Sequence, residues 1–165
     1  MRNFVPLLAL MLLGGPALAR EPKAVQDLAD RAAIHEVMQK YVYSVDSGDA
    51  EGYGSVFTED GVIDSNGTAI RGRAAIRKVV TDLQARYSAN RADGKPAGQL
   101  YHVISNESIS LSSATEAVYR SYWQTMRKGE DKRYTAGGFG QSEDHLVKVK
   151  GQWLIQSRKL TVFTE

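Results

Sequence analysis

The last third of the sequence has an extended hydrophobic pattern, and this feature restricts the fold more than any other. Four segments have the length and composition of β-strands, and turn residues such as Lys150-Gly151 separate them: residues 100–111, 115–127, 139–150 and 152–163. Consecutive strands with short connections pair antiparallel, and long strands twist. The pattern therefore predicts a curved antiparallel meander, one face of which the preceding residues must cover.

The preceding residues carry a helical pattern instead. A long helix is predicted over residues 25–45, since its apolar side chains recur three or four positions apart along one stripe. A third helix is predicted over residues 73–87, and a shorter helix that includes Tyr53, Val56 and Phe57 lies between the two. Helices followed by strands indicate an α+β fold, in which the N-terminal helices cover one face of the curved sheet.

Two further local signals complete the predicted organisation. Asn66-Gly67 lies between the short extended runs 61–64 and 68–71, which is typical of a β-hairpin. Residues 88–98 are polar and contain glycine and proline, which predicts a loop.

The first residues predict export. Arg2 supplies a positive charge, an apolar run over residues 4–13 follows, and Ala17-Leu18-Ala19 is a cleavage motif of small residues. We therefore interpret residues 1–19 as a signal peptide and residues 20–165 as one domain that is periplasmic or secreted, with no membrane attachment after cleavage. An uncleaved N-terminal anchor is the alternative.

Composition excludes several classes of function. The chain has no cysteine, so it forms no disulfide, thiolate zinc site or cysteine nucleophile. Its 21 basic and 19 acidic residues nearly balance, whereas a nucleic-acid binder usually carries a basic excess. The three histidines show no metal-ligand spacing, so we predict no metal site.

Several short stretches, taken in order, resemble the SnoaL-like branch of the nuclear transport factor 2 superfamily. They are Arg31-Ala32-Ala33-Ile34, Val45-Asp46-Ser47-Gly48-Asp49, Phe57-Thr58-Glu59-Asp60-Gly61-Val62, Arg71-Gly72-Arg73-Ala74-Ala75-Ile76, His102-Val103-Ile104-Ser105-Asn106 and Trp153-Leu154-Ile155-Gln156-Ser157-Arg158. That branch includes scytalone dehydratase, a bile-acid dehydratase and a hexachlorocyclohexane dehydrochlorinase. The resemblance implies a cone, in which the curved antiparallel sheet wraps around the N-terminal helices and encloses a deep apolar pocket. It also implies no metal or organic cofactor, and a homo-oligomer, either a dimer or a trimer.

Asp46 and His102 are the first candidates for catalysis. Asp46 lies at the edge of the helical stripe, where it either faces the pocket or simply ends the helix in solvent. His102 shares one strand face with Leu100, Ile104 and Asn106, as a hydrogen-bonded core histidine also would, and Ile109 and Leu111 are expected on the opposite face. The resemblance implies a pair in which the carboxylate orients the imidazole and stabilises its protonated form.

A second acid is harder to assign. The related dehydratases carry an acidic or imidazole group on the strand after the histidine strand, where this chain has tyrosine, serine, tryptophan and threonine. Tyr41, which matches a tyrosine of the bile-acid dehydratase, is a third catalytic candidate, with aromatic packing as the alternative. Arg158 either contacts substrate or forms a structural ion pair. We interpret His35 as part of a solvated helix face.

The remaining prediction concerns the pocket lining, which would suit a small apolar alicyclic or aromatic molecule. The predicted substrate-binding residues are Met38, Phe57, Ile104, Tyr119, Tyr122, Trp123 and Arg158. Two functions fit these residues: a cofactor-independent lyase or isomerase of the dehydratase or dehydrochlorinase type that uses His102, Asp46 and Tyr41, and a non-catalytic module that binds a hydrophobic ligand or a partner segment.

Cleavage of the leader can be tested directly. The small residues before Arg20 predict cleavage after Ala19, so mass spectrometry of the exported protein should find Arg20 at the N-terminus. Intact Met1 on a membrane-bound form would contradict this prediction and support the uncleaved anchor.

Overall fold

The computed structural model describes residues 22–95, 97–129 and 133–163, so the predicted signal peptide lies outside the described residues. These residues form three helices and six strands, which follow one another along the chain as α1 (Lys23–Ser47), α2 (Ala50–Ser55), β1 (Phe57–Ser65), β2 (Thr68–Arg71), α3 (Arg73–Ala92), β3 (Leu100–Leu111), β4 (Glu116–Lys128), β5 (Tyr134–Val149) and β6 (Gln152–Val162). Within that part of the chain, no helix has the length and apolar character that crossing a bilayer requires.

All six strands form one sheet in the order β2-β1-β6-β5-β4-β3. The last four strands form the predicted antiparallel meander, and β1 and β2 form the predicted hairpin around Asn66-Gly67. The sequence pattern did not indicate that β1 pairs parallel with β6, where Phe57 lies opposite Ile155. Register shifts interrupt four of the five strand pairs, and such bulges bend strands.

The three helices pack on the inner face of this curved sheet. On β4 the residues that alternate inward are buried, while Tyr122 and its even-numbered neighbours face outward. The core between helices and sheet is apolar and includes Ile34, Met38, Tyr41, Tyr53, Phe57, Ile76, Val80, Tyr119, Leu146, Trp153 and Ile155. The α+β prediction is therefore confirmed, with a mixed sheet in place of a purely antiparallel one.

Three predicted boundaries were wrong. Phe57 begins β1 and does not belong to the second helix, because its backbone pairs with the parallel strand β6. Helix α3 continues to Ala92, so the first five residues of the predicted loop 88–98 are helical. This last segment contains Ala89, Arg91 and Ala92, which favour a helix, but it has no apolar stripe, which is why periodicity failed there. Strand β5 begins at Tyr134, five residues before the predicted start.

The end of α1 is fixed by its capping residues. Gly48 adopts a φ of 82°, and its N–H donates to the carbonyl of Ser44. Glycine reaches this left-handed conformation without a steric penalty. Asp49 then caps α2, since its side chain accepts a hydrogen bond from the N–H of Gly52 at 2.8 Å. Helix α1 therefore ends two residues after Asp46, and α2 begins directly afterwards. Together the two caps fix the position of the Asp46 carboxylate.

A buried ion pair joins two strands below α1. Nη1 of Arg158 on β6 donates to both carboxylate oxygens of Asp144 on β5 at 2.8 Å, and both side chains are buried. The Arg158 guanidinium also lies 4.2 Å from the ring centroid of Tyr41. Burial raises the pKa of Asp144 to about 6, against the attraction of Arg158.

Breaking this pair from one side should destabilise the protein strongly. Asp144→Ala should lower the free energy of unfolding by about 3–5 kcal/mol, because Arg158 would stay buried without its counter-charge. The double variant Asp144→Leu/Arg158→Met should recover most of that loss, since two apolar side chains replace both desolvated charges. Urea unfolding followed by circular dichroism measures both changes.

The neighbouring residue on β5 supplies the control. Glu143 pairs with Arg120 at the surface, where both side chains are about half exposed. Glu143→Ala should therefore cost less than about 1 kcal/mol. Equal losses for the two single variants would contradict the assigned importance of the buried pair.

Candidate functional site

Asp46 and His102 are in direct contact where the end of α1 meets β3. The His102 Nδ1–H donates to Asp46 Oδ1 at 2.6 Å, and the His102 backbone N–H donates to Asp46 Oδ2 at 2.9 Å. Gln99 holds the same helix turn, since its amide donates to the Asp46 carbonyl at 3.0 Å. The side-chain distance is within hydrogen-bond reach, as an orienting carboxylate requires.

This contact determines the state of the imidazole. Because the Nδ1–H donates a hydrogen bond to Asp46, the neutral ring carries its proton on Nδ1 and its lone pair on Nε2. The His102 and Asp46 side chains are 24% and 16% exposed, so the ion pair that forms on protonation is only partly solvated. The arrangement provides a base whose orientation is fixed by one carboxylate.

His102 lines a cavity of about 280 Å³ between α1 and the inner face of the sheet. The cavity combines apolar walls with polar groups from four elements: His35, Met38, Gln39, Val42 and Tyr43 from α1, His102, Ile104 and Glu107 from β3, Tyr119 and Ser121 from β4, and Arg158 from β6. Met38, Ile104, Tyr119 and Arg158 were all predicted to line the pocket, and the structure places them there.

Four other predicted site residues lie elsewhere. Tyr41 is buried in the core, where it accepts a hydrogen bond from the Tyr53 hydroxyl at 3.1 Å. Phe57 is fully buried beside it. Trp123 faces inward but packs over Gly138 and Gly140, farther along the sheet. None of these three lines the cavity described above. Tyr122 is on the outer face of the sheet, because side chains alternate along β4 and its neighbours Ser121 and Trp123 point inward.

A β-bulge in β3 brings an acidic residue into the cavity that the sequence analysis did not identify. Ser105 pairs with Tyr122 and Ser108 pairs with Arg120, so Asn106 and Glu107 together lie opposite Ser121. Asn106 adopts a φ of 52°, a conformation in which asparagine is enriched. The extra residue shifts the alternation by one position, so Glu107 faces inward and Asn106 lines a groove on the outer face.

The bulge also corrects the prediction for the rest of β3. Ile109 and Leu111 were expected on the face opposite His102, but both pack against the core on the inner face. Simple alternation of side chains could not indicate this, since it assumes an uninterrupted strand. The asparagine was the one sequence signal for the interruption.

His35 lies on the cavity side of α1 and contacts Glu107. The His35 Nδ1–H donates to Glu107 Oε2 at 3.0 Å, and the Gln39 amide lies 3.0 Å from His35 Nε2. The side chain of His35 is 46% exposed, so the predicted solvated helix face is in fact the rim of the cavity. His35 is therefore solvated, as the sequence analysis expected. The contact with Glu107 was not expected, because the bulge turns that carboxylate inward.

Hydroxyl groups line the deep end of the cavity. Burial and the neighbouring Glu107 raise the pKa of Tyr119, which keeps its phenol protonated as a hydrogen-bond donor. Ser121 is hydrogen-bonded to Ser142 at 3.0 Å, and Ser142 donates to the Asp144 carboxylate at 3.3 Å. These contacts connect the cavity to the buried ion pair of Asp144 and Arg158.

The protein is therefore a cone-shaped α+β domain, and its cavity between α1 and the sheet combines apolar walls with polar side chains. The SnoaL-like domain family matches residues 26–159, and the chain belongs to that family. Comparison with curated proteins finds no match. Among the described residues, no group of three or more histidine, aspartate and glutamate side chains is arranged to hold a metal ion.

Solved structures agree with this fold. A proposed scytalone dehydratase from Novosphingobium aromaticivorans is 26% identical with a TM-score of 0.70, over 86% of this chain and 89% of that one. An NTF2-like protein with a cystatin-like fold from the same organism is 23% identical with a TM-score of 0.74, over 91% and 92%. A Mycobacterium tuberculosis protein of unknown function is 25% identical with a TM-score of 0.74, over 87% and 78%.

Proposed function

We propose that this protein is an exported lyase or isomerase that needs no cofactor and acts on a small alicyclic or aromatic molecule. The observation that carries the proposal is the 2.6 Å contact between Asp46 and His102 beside the cavity. An imidazole held in one tautomer by a carboxylate is a general base suited to neutral pH. Similarity to a proposed scytalone dehydratase supports the same class of reaction.

The proposed reaction begins with proton abstraction from a carbon acid. The Nε2 lone pair of His102 takes the proton, and the resulting imidazolium is stabilised by Asp46 through Nδ1. Asp46 is itself fixed by the His102 backbone N–H, so neither partner reorganises when the charge develops. The electron pair from the broken C–H bond then expels a leaving group or moves within the substrate.

Arg158 is the proposed binding group for a substrate oxygen. It lines the cavity, and its buried Nε–H has no hydrogen-bond partner among the described residues. A hydrogen bond to this buried donor would remove the free-energy cost of leaving it unpaired. A substrate carbonyl oxygen is a suitable acceptor, since it becomes more negative as the proton leaves the neighbouring carbon. Met38, Val42 and Ile104 would contact the apolar part of the molecule.

A binding module is the alternative function, and the same cavity would then hold a hydrophobic ligand without turnover. Its volume of about 280 Å³ suits one small molecule in either case. The two functions differ in what His102 contributes, because a module uses the imidazole for contact alone.

We also propose that two or more copies associate through the outer face of the sheet. Tyr122, Phe139 and Phe163 are exposed there and contact one another, with ring centroids 5.3–6.3 Å apart. An exposed aromatic cluster of this kind is typical of an interface.

Light scattering tests this association. The wild-type protein should have the mass of a dimer or trimer, and Phe139→Glu should shift it toward the monomer, because a charge would be buried in the contact. Asp82→Lys, a charge change at an exposed position of α3 and away from the outer face of the sheet, is the control. A monomeric wild-type protein at high micromolar concentration would contradict the proposal.

Substitution of the pair tests the enzyme directly. His102→Gln should reduce kcat/KM by about 10²–10⁴-fold on any substrate found in a panel of alicyclic and aromatic compounds. Asp46→Asn should reduce it by a similar factor, since an amide does not stabilise the imidazolium. His145→Gln is the matched control, because His145 is an exposed histidine outside the cavity.

Ligand binding separates the two proposed functions. If the wild-type protein binds panel compounds by calorimetry without turning any of them over, the binding module replaces the enzyme. If turnover occurs and survives His102→Gln, the protein is an enzyme but His102 is not its base.

A further inference from the structure

We propose that His35, oriented by Glu107, is the general acid of this site and that the leaving group is therefore a hydroxyl that departs as water. This inference rests on the proposed lyase function and names the class of substrate: a molecule that carries a hydroxyl on the carbon next to the one that loses the proton. The catalytic residue is His35, and Glu107 is a positioning residue.

Two histidine–carboxylate pairs lie at the cavity, one at each end of the contact between α1 and β3. His102, His35 and Glu107 line the cavity, and Asp46 contacts His102 from beside it. In the first pair the helix supplies the carboxylate, Asp46, and the strand supplies the imidazole. In the second pair the helix supplies the imidazole, His35, and the strand supplies the carboxylate, Glu107. Eleven positions separate His35 and Asp46, which is about three helical turns, so both residues lie on the same face of α1.

The structure holds the second pair by several independent contacts. Arg31, one turn before His35, donates to the carbonyl of Ile109 at 2.7 Å and ties α1 to β3 just past the bulge. On its other side Glu107 faces the buried phenol of Tyr119, whose pKa its charge helps to raise. The bulge, the contact with His35 and the attachment of α1 to β3 together fix the position of Glu107.

The contacts of His35 suit a proton donor. Its Nδ1–H points to Glu107, so protonation places the second proton on Nε2. In the neutral ring the Gln39 amide nitrogen donates to Nε2, and when the ring is protonated a flipped amide presents its oxygen to the same atom. Gln39 therefore accommodates both protonation states. Because the Gln39 side chain is exposed, the hydroxyl of a bound substrate displaces its amide and takes its place at Nε2.

The proposed step is balanced as follows. His102 Nε2 takes the proton from one carbon, and the electrons of that C–H bond form a double bond to the neighbouring carbon. The C–O bond there breaks with its electron pair on oxygen, and that oxygen takes the Nε2 proton of His35. The products are an alkene and water, with His102 protonated and His35 neutral. Solvent at the rim, where His35 is 46% exposed, restores the starting states.

The second pair distinguishes between leaving groups because they differ in their need for a proton. Hydroxide is a strong base and therefore a poor leaving group, so a hydroxyl leaves readily only when it is protonated. Chloride is a stable anion and leaves without a proton. A site that acts on halides gains nothing from an oriented acid, whereas a dehydratase depends on one.

Matched substrates provide the test. We would use alicyclic β-hydroxy ketones, each paired with the β-chloro ketone that gives the same unsaturated product, and correct all rates for spontaneous elimination. His35→Asn keeps a hydrogen-bonding group near Glu107 but removes the acid. It should lower kcat/KM for the hydroxy ketone by about 10²–10⁴-fold and for the chloro ketone by a factor that is at least about thirtyfold smaller.

Two further variants sharpen this test. Glu107→Gln should change the ratio of hydroxyl to chloride elimination in the same direction, which a merely structural role would not do. His145→Asn disrupts a different histidine–glutamate pair, His145 with Glu143, which is exposed and outside the cavity, and should leave both rates unchanged. Thermal unfolding checks that each variant is folded.

The possible results are separable. Equal losses on both substrates, or no loss in His35→Asn, would overturn the acid while the enzyme and its base remain. A wild-type protein that eliminates chloride but never water would also overturn it. A wild-type protein that acts on neither member of any pair would overturn the proposed function itself, and the acid with it.

Discussion

The carboxylate of Asp46 is the contact on which the arrangement of the site depends. It accepts one hydrogen bond from the His102 side chain and one from the His102 backbone, so a single group fixes both the ring and the strand that carries it. Strand β3 is at the edge of the sheet, where backbone N–H groups lack a neighbouring strand. The end of α1 supplies the missing partner, and the helix caps at Gly48 and Asp49 determine where that end falls.

The architecture of the domain was largely predictable from the sequence because its signals are local. Helical and extended periodicities predicted the order of elements, the meander and the hairpin, and the resemblance in short motifs brought Asp46 and His102 together. The parallel pairing of β1 with β6 was not predictable in this way, since it joins residues nearly a hundred positions apart. The alternation of side chains between the two faces shifts wherever a bulge interrupts a strand. This shift explains why Ile109 and Leu111 were assigned to the wrong face and why Glu107 was not identified.

The candidate site was less predictable than the fold, and the errors share a cause. Tyr41 and Phe57 have the right periodicity for the inner side of the fold, but that side includes both a solid core and a cavity. Periodicity cannot separate the two, because they differ in how far each side chain reaches and not in which way it points. Polar residues indicate the cavity better than aromatic ones do: His35, Gln39, Ser121 and Arg158 all line it.

The bulge at Asn106 also has a consequence for how this site can change during evolution. Because one extra residue sets the alternation of every position after it, a single-codon deletion there would turn Glu107 away from the cavity and exchange the inner and outer faces of the remaining strand. Ile109 and Leu111 would lose their places in the core at the same time. Length variation at this point is therefore coupled to stability, so the acidic residue can be replaced by substitution far more easily than it can be moved by insertion or deletion.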